Sequence, residues 1–458
     1  MVNLEAHAGP PPASTDLVKF SVRLPGIEML LAAGLVLRLG LAFLPGFSVD
    51  IGTFQAWSNS LATEGPWNFY NETSFTDYAP GYMYVLWFIG EANQIFGFSP
   101  AQYEYILKIP SIIADIASAF LIYRILVDQK PGVRLGATAL YVFFPAALWI
   151  GPIWGQVDSI LAFFLLLSVY YIGRDKPVHG AVAFTIGFLM KPQAIAALPF
   201  LAFWIIRDNW GNWRPIVLCS VVPPLLMLVL ITPFFEFQPW RLVEVLYDAS
   251  NVANYRVNSF WAYNFWNFGG LFDQGFKCDS CGGTEGTTWL GIETRYWGLT
   301  FFSVAIAAIV FSLRKAQGTG YLALGVALSV MAFYFFLTRM HERYVFAAFL
   351  PLLVAAVMIN SRLLWGMFVV LAVSHFVNLY HVYGYYYPND LRIEGLYDWL
   401  ETGDFFGKLP LVGNTVSSVT GPVETVQFFS IVMVVSFLVL LVGTYLRLER
   451  RPPGPEAT

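Results

Sequence analysis

The sequence predicts an all-α integral membrane protein, a polytopic helix bundle of about twelve transmembrane helices with external juxtamembrane helices in its first external loop. Three observations lead there. Of 458 residues, 57% are hydrophobic and only 12% are charged, half the ~25% usual in soluble domains. The chain falls into thirteen apolar runs of helical length. Short basic connections separate many of those runs, as the positive-inside rule requires of cytoplasmic loops. The mean hydropathy of +0.60 excludes a disordered chain. A formal charge of −4 offers no basic stripe for nucleic acid. The expected surroundings are a lipid bilayer, and the 17% aromatic content suits its interfaces.

Residues 1–25 read as a disordered cytoplasmic tail, polar and Pro-rich through Val18, without the n-region and short apolar core of a cleavable signal peptide. The apolar runs lie at about 26–46, 80–97, 105–126, 135–151, 158–173, 179–190, 194–206, 215–234, 294–313, 320–337, 344–360, 363–380 and 425–446. Basic connections at Lys19/Arg23 and Lys130/Arg134 must lie on one side, so an even number of crossings separates them. Three runs fall between, and 80–97 is the one to demote: it is apolar only from Tyr82 to Ile89, too short to cross ~30 Å of hydrocarbon. Its Tyr, Trp and Phe suit a helix lying in the interface. Twelve spans remain and both termini fall in the cytoplasm. The chain then divides into a transmembrane module at 26–234 with external loop 47–104, a large external loop at 235–293, a second module at 294–446 with external loop 381–424, and a tail at 447–458. No internal repeat of the transporter kind is visible.

The elaborated loops share the external face, and the charged residues at their helix ends are the candidates for chemistry. Asp50 follows the first span, ahead of an amphipathic stretch with Phe54, Trp57 and Leu61 on one side; it reads as a general base or as an N-cap. Asp77, next to Tyr78 and before Pro80, reads as a turn residue or as the second of two paired carboxylates. In Trp154-Gly155-Gln156-Val157-Asp158-Ser159, Asp158 is a cap or a site residue, and Trp154 by itself is a belt residue. Lys191, fused to Pro192 between two short helices, reads as a cavity-facing ammonium more than a snorkelling one. Arg339, His341, Glu342 and Arg343 crowd one helix start; the two arginines, four apart, would share a face and hold a phosphate with the helix N-terminus. Asn258, Trp261 and their neighbours through Asn267 mix aromatic planes with amides, a surface suited to sugar rings. Tyr383–Tyr387 reads as an interfacial belt, Arg38 with Asp115 as a structural pair, and Cys219 as buried. Cys278 and Cys281 suit a local disulfide first, free thiols second and a metal last. Asn71-Glu72-Thr73 has the pattern of a glycosylation sequon.

Taken in order, these pieces resemble the GT-C superfamily of integral membrane glycosyltransferases. Within it they look like the Gpi18-like mannosyltransferases and their dolichyl-phosphate-glucose-dependent glucosyltransferase relatives. The likeness rests on Asp50 with Phe54-Gln55-Ala56-Trp57, Asp77-Tyr78-Ala79-Pro80, the Trp154–Ser159 turn, Lys191-Pro192-Gln193 and Met340-His341-Glu342-Arg343-Tyr344, across about residues 26–360. It implies a GT-C-type bundle and inverting transfer of a hexose, mannose by this likeness. The donor would be a polyprenyl- or dolichyl-phosphate sugar and the acceptor a glycan, lipid or protein. Asp50 would be the base; Lys191, His341, Arg343 and Arg339 would hold the donor phosphate. Asp77, Tyr78, Trp154, Gln156, Asp158, Glu342, Asn258 and Trp261 would bind substrate. Some relatives need a divalent cation, but Asp50 and Asp77 are not spaced as D-x-D, and no cofactor is called for. The membrane would be the cell membrane in a prokaryote and the endoplasmic reticulum in a eukaryote. The alternative class is a flippase, or a non-catalytic binder, of lipid-linked sugars; it has no need of Asp50 beside an interfacial helix.

Overall fold

The computed structural model describes residues 26–72, 76–251, 258–270, 288–387, 391–402 and 423–450. The terminal tails, Thr73 of the sequon and the Cys278/Cys281 pair lie outside them, as do parts of the two large loops. The first third of the chain forms α1 (Ile27–Leu41), α2 (Ser48–Glu64), α3 (Pro66–Glu72), α4 (Pro80–Phe96), α5 (Pro100–Ile125) and α6 (Pro131–Val142). A short α7 (Pro145–Leu148) runs into a π-helical turn at Trp149–Trp154. There follow α8 (Asp158–Ile172), α9 (Pro177–Met190), a 3₁₀ turn (Pro192–Ala197), α10 (Leu198–Asp208), α11 (Trp213–Phe235) and α12 (Arg241–Asn251). Beyond β1 (Ser259–Phe260), a 3₁₀ turn (Phe265–Gly270), β2 (Thr288–Trp289) and β3 (Ile292–Glu293) come α13 (Thr294–Leu313) and α14 (Thr319–Phe336). Then β4 (Met340–His341) and a 3₁₀ turn (Phe346–Ala348) lead to α15 (Phe349–Ile359), α16 (Arg362–Tyr386), α17 (Glu394–Thr402) and α18 (Val423–Glu449).

Local chemistry explains many of these ends. Pro80, Pro100, Pro131 and Pro177 open α4, α5, α6 and α9, where a missing N–H costs nothing. Ser99 and Gln102 form a capping box on α5. Pro145 breaks the 135–151 run, so that α6 and the π-turn segment meet at 43°. Every one of the thirteen apolar runs contains helix.

Among the described residues, α5, α11, α13, α14, α16 and α18 are long and apolar enough to cross a membrane, and the bent pair counts as a seventh if taken as one span. The chain is thus a multi-pass membrane protein, but the count of twelve is not reached by this measure. α1 and α8 have 15 residues, α9 has 14, and α10 and α15 have 11 each, against ~20 for a full span. The Lys191-Pro192 break shortens two of them, as the sequence implied. One boundary changes: α16 continues to Tyr386, so the loop expected from 381 begins later.

Two apolar cores result. The larger joins α5–α10 to α14–α16 and α18 through residues such as Leu165, Phe200, Leu328 and Phe349. The smaller seats α2, α3 and α4 on the ends of α5, α8, α9 and α11 through Phe54, Trp57, Leu61, Tyr82, Leu86 and Phe234. Phe54, Trp57 and Leu61 are 2%, 4% and 0% exposed, the one-sided stripe the sequence shows. α4 buries Tyr82, Met83, Leu86 and Ile89 and leaves Phe88, Ile95 and Phe96 exposed. It approaches α2 so closely that a Cβ on Gly90 would lie 2.1 Å from the Ser58 carbonyl. Arg38 and Asp115 do pair, Nε to Oδ2 at 3.1 Å, with no exposed side-chain surface. Cys219 is half-buried, not buried.

The two ends of the bundle differ. At one end the basic residues hold neighbouring helix termini: Arg174 Nη2 donates to Arg124 O at 3.3 Å, Arg207 Nη1 to Leu313 O at 3.0 Å and Arg447 Nη2 to Ile359 O at 3.1 Å. Arg314 pairs with Glu449 at 2.7 Å beside them. The candidate site occupies the opposite ends of α8 and α9.

Candidate active site

α2 begins after Phe47, whose N-cap position makes no side-chain capping bond, so Asp50 sits inside the first turn. A carboxylate there is favoured by the helix dipole, but it is not the cap. Its Oδ2 accepts a hydrogen bond from Trp154 Nε1 at 2.7 Å, and its Oδ1 lies 3.7 Å from Arg343 Nη2.

The link before Asp50 is tied on every side. Lys108 Nζ donates to Ala42 O and Leu44 O at 3.2 and 2.6 Å and pairs with Glu104 at 2.9 Å. Glu104 Oε1 accepts from Gly46 N–H at 2.6 Å. Tyr383 OH donates to Pro45 O at 2.7 Å, and Phe47 N–H to Trp154 O at 3.0 Å. The Ser48 N–H donates to the Tyr387 hydroxyl. The tyrosines expected as a belt are therefore a clamp. α16 carries them past the expected end of the span and turns Tyr383 inward, 1% exposed.

A cavity of about 260 Å³ opens over this turn. Asp50, Asp77, Tyr78, Trp154, Trp261, His341, Glu342 and Arg343 line it, together with Phe47, Thr53, Phe54, Trp57, Phe260 and Tyr386. Arg343 is the electrostatic centre. Its Nη1 pairs with Glu342 Oε1 at 2.8 Å, and its Nε lies 3.9 Å from Asp158 Oδ2. Burial works against charge on Glu342, but Arg343 and His341 outweigh it and hold its pKa down at about 2. His341 stacks on Phe260 at 4.8 Å with rings 8° from parallel, and its Nδ1 is 3.8 Å from Glu342. Asp77 makes no ion pair within 4.0 Å among the described residues. Burial raises its pKa, opposed by His341, Lys191 and Arg343.

Lys191 and Asp158 stand behind the cavity. Their Nζ and Oδ2 are 2.8 Å apart and each side chain is 1% exposed. Asp158 is the first residue of α8 and makes no capping bond, so the capping reading fails. The ammonium faces inward, 5.2 Å from the Tyr344 ring centroid, with its charge already met. Gln156 also lies behind: its Oε1 accepts from Tyr78 OH and Val157 N–H, both at 3.3 Å.

Two sequence expectations need correction. Arg339 and Arg343 do not share a helical face. β4 pairs in parallel with β1, and Arg339 N–H donates to Asn258 O at 3.0 Å. That pairing extends the chain, and helical structure begins only at Phe346. Arg339, at φ 67°, lines a separate cavity of about 290 Å³ with Gln193, Thr338 and Tyr344, touching the first only through Asp77. Asn258 does not line the first cavity either. Its Oδ1 accepts from Thr294 Oγ1 at 2.6 Å, while Asn264 and Asn267 bond within the bundle and their own loop. The amides are spent on holding an irregular loop, and only Phe260 and Trp261 of that stretch reach the cavity. Among the described residues no three His, Cys, Asp or Glu side chains are grouped to hold a metal ion.

A multi-pass helical bundle is consistent with the GT-C likeness that the sequence carries. A dolichyl pyrophosphate Glc1Man9GlcNAc2 alpha-1,3-glucosyltransferase of Arabidopsis thaliana is 22% identical, over 68% of this chain and 68% of its own length. The apo crystal structure of ArnT from Cupriavidus metallidurans aligns with 92% of this chain and 76% of its own at 14% identity and a TM-score of 0.48. No family model matches the chain.

Proposed function

We propose that the protein is an inverting glycosyltransferase. It moves a hexose from a polyprenyl-phosphate-linked donor to an acceptor hydroxyl on the non-cytoplasmic face. One observation carries the reading: a carboxylate, Asp50, and a cation, Arg343, face one aromatic-walled cavity with Oδ1 and Nη2 3.7 Å apart. Asp50 would take the proton of the attacking hydroxyl. Arg343, with His341, would meet the charge that gathers on the departing phosphate. Phe260 and Trp261 offer faces for sugar rings. Lys191 acts at one remove: its charge is met by Asp158 at 2.8 Å, so it holds the wall behind Arg343 and does not grip the phosphate. Arg339 falls out of the phosphate set for this cavity.

The donor sugar is the open comparison, since the family resemblance points to mannose and the name of the Arabidopsis relative to glucose. Purified protein is given short-chain polyprenyl-phosphate mannose or glucose with candidate glycan acceptors, and product is followed by mass. Transfer is expected with one of the two donors, and Asp50→Asn is expected to lose about 10²–10⁴-fold in kcat, the usual worth of a positioned base. Equal rates for wild type and Asp50→Asn would remove Asp50 from the chemistry. Binding of either donor without turnover would favour a non-catalytic binder.

A further inference from the structure

The indole of Trp154 is wholly buried, and its single polar atom donates to Asp50 Oδ2 at 2.7 Å. Its plane is fixed by stacking on Phe47, with centroids 4.6 Å apart and rings 14° from parallel, and by the edge of Tyr383 at 5.9 Å. Its backbone carbonyl takes the Phe47 N–H at 3.0 Å. Side chain and backbone thus both grip the turn that carries Asp50. An indole N–H donates and cannot accept, so the bond admits one polarity. The second carboxylate oxygen, Oδ1, is 3.7 Å from Arg343 Nη2, beyond hydrogen-bond reach.

The geometry assigns Trp154 as the positioning residue of Asp50, holding Oδ2 so that Oδ1 is the oxygen presented to the acceptor. This rests on the reading of Asp50 as the base. In the step, Oδ1 takes the proton from the acceptor hydroxyl. The freed electron pair forms the new bond to the anomeric carbon, and the bond from that carbon to the phosphate oxygen breaks with its pair leaving on the phosphate. A neutral donor suits the task. It fixes Oδ2 through a single directional bond and adds no second charge beside the carboxylate.

The test is Trp154→Phe, which keeps an aromatic ring for Phe47 to stack on and removes the N–H. It is assayed for kcat and KM separately, with Asp50→Asn alongside. The expected result is a ~10–100-fold fall in kcat with KM within about twofold, as for a catalytic group knocked slightly out of place. Unchanged kcat and KM would reduce Trp154 to packing. A raised KM with unchanged kcat would make it a substrate contact instead. Should Trp154→Phe not elute as a folded species in detergent, benzothienylalanine introduced at position 154 keeps the ring shape, lacks the N–H and carries the same expectations. Wild-type rates in Asp50→Asn would overturn the base reading itself, whatever position 154 does.

Discussion

Lys191 and Asp158 are the most costly pair beside the cavity, since each is 1% exposed and neither can be rehydrated if its partner is lost. Asp158→Asn should therefore destabilise the protein by about 3–5 kcal/mol, read from thermal unfolding in detergent. Lys191→Met combined with Asp158→Asn should cost less than the two single changes added together, because it removes both buried charges. Simple additivity would mean that the two residues do not depend on each other. The sequence showed that Lys191 was expensive, through its place beside Pro192 in a helix break. It did not show the partner, 33 positions away on another helix, because side-chain spacing along one helix says nothing about which helix faces it. Trp154 illustrates the same limit. Its type suits a lipid interface, and only the fold turns its N–H onto a carboxylate 104 positions earlier.

Helices were the legible part of the fold, because hydropathy alone locates them. Their bends and junctions were not. The 135–151 run contains Pro145, and the π-helical turn at Trp149–Trp154, with Pro152 inside it, is capped by Gly155 at φ 88°. A Cβ at Gly155 would meet Ile51 Cδ1 at 2.6 Å, so this glycine lets the first turn of α2 lie against the π turn. Gly155→Ala should cost about 1–3 kcal/mol, through strain at φ 88° first and the shift forced on Ile51 second, and lower transfer by moving Asp50 away from Trp154. Gly52→Ala is the control on α2 itself. Nothing lies within 4 Å of its Cβ position, so both activity and unfolding temperature should hold or the latter rise slightly. Equal damage from both changes would mean that α2 tolerates no added volume anywhere, and the close approach would lose its special place. The Arg339–Tyr344 segment was misread as a helix start for a related reason: its pairing with Ser259–Phe260 lies far off in sequence and leaves no periodic trace.

The whole molecule separates two ends, one where basic side chains tie helix termini together and one that carries the cavity. In a membrane this separation becomes a sidedness. In a cysteine-free background, a single cysteine replacing exposed Ser99 should react with an impermeant thiol reagent added to intact cells. One replacing exposed Asp128 should react only after permeabilisation. Labelling of the residue-99 cysteine only after permeabilisation would restore 80–97 as a crossing and break the alternation. The clamp around residues 42–48 has a different consequence, one of timing. Trp154 comes from the first half of the chain, but Arg343, Tyr383 and Tyr387 are made long after Asp50 has entered the bilayer. A nascent chain therefore carries its carboxylate through most of its synthesis without the groups that balance it and clamp its turn. Under the proposed function, the protein would stay inert until its last third is inserted, and a lipid-linked sugar met on the way would not be spent.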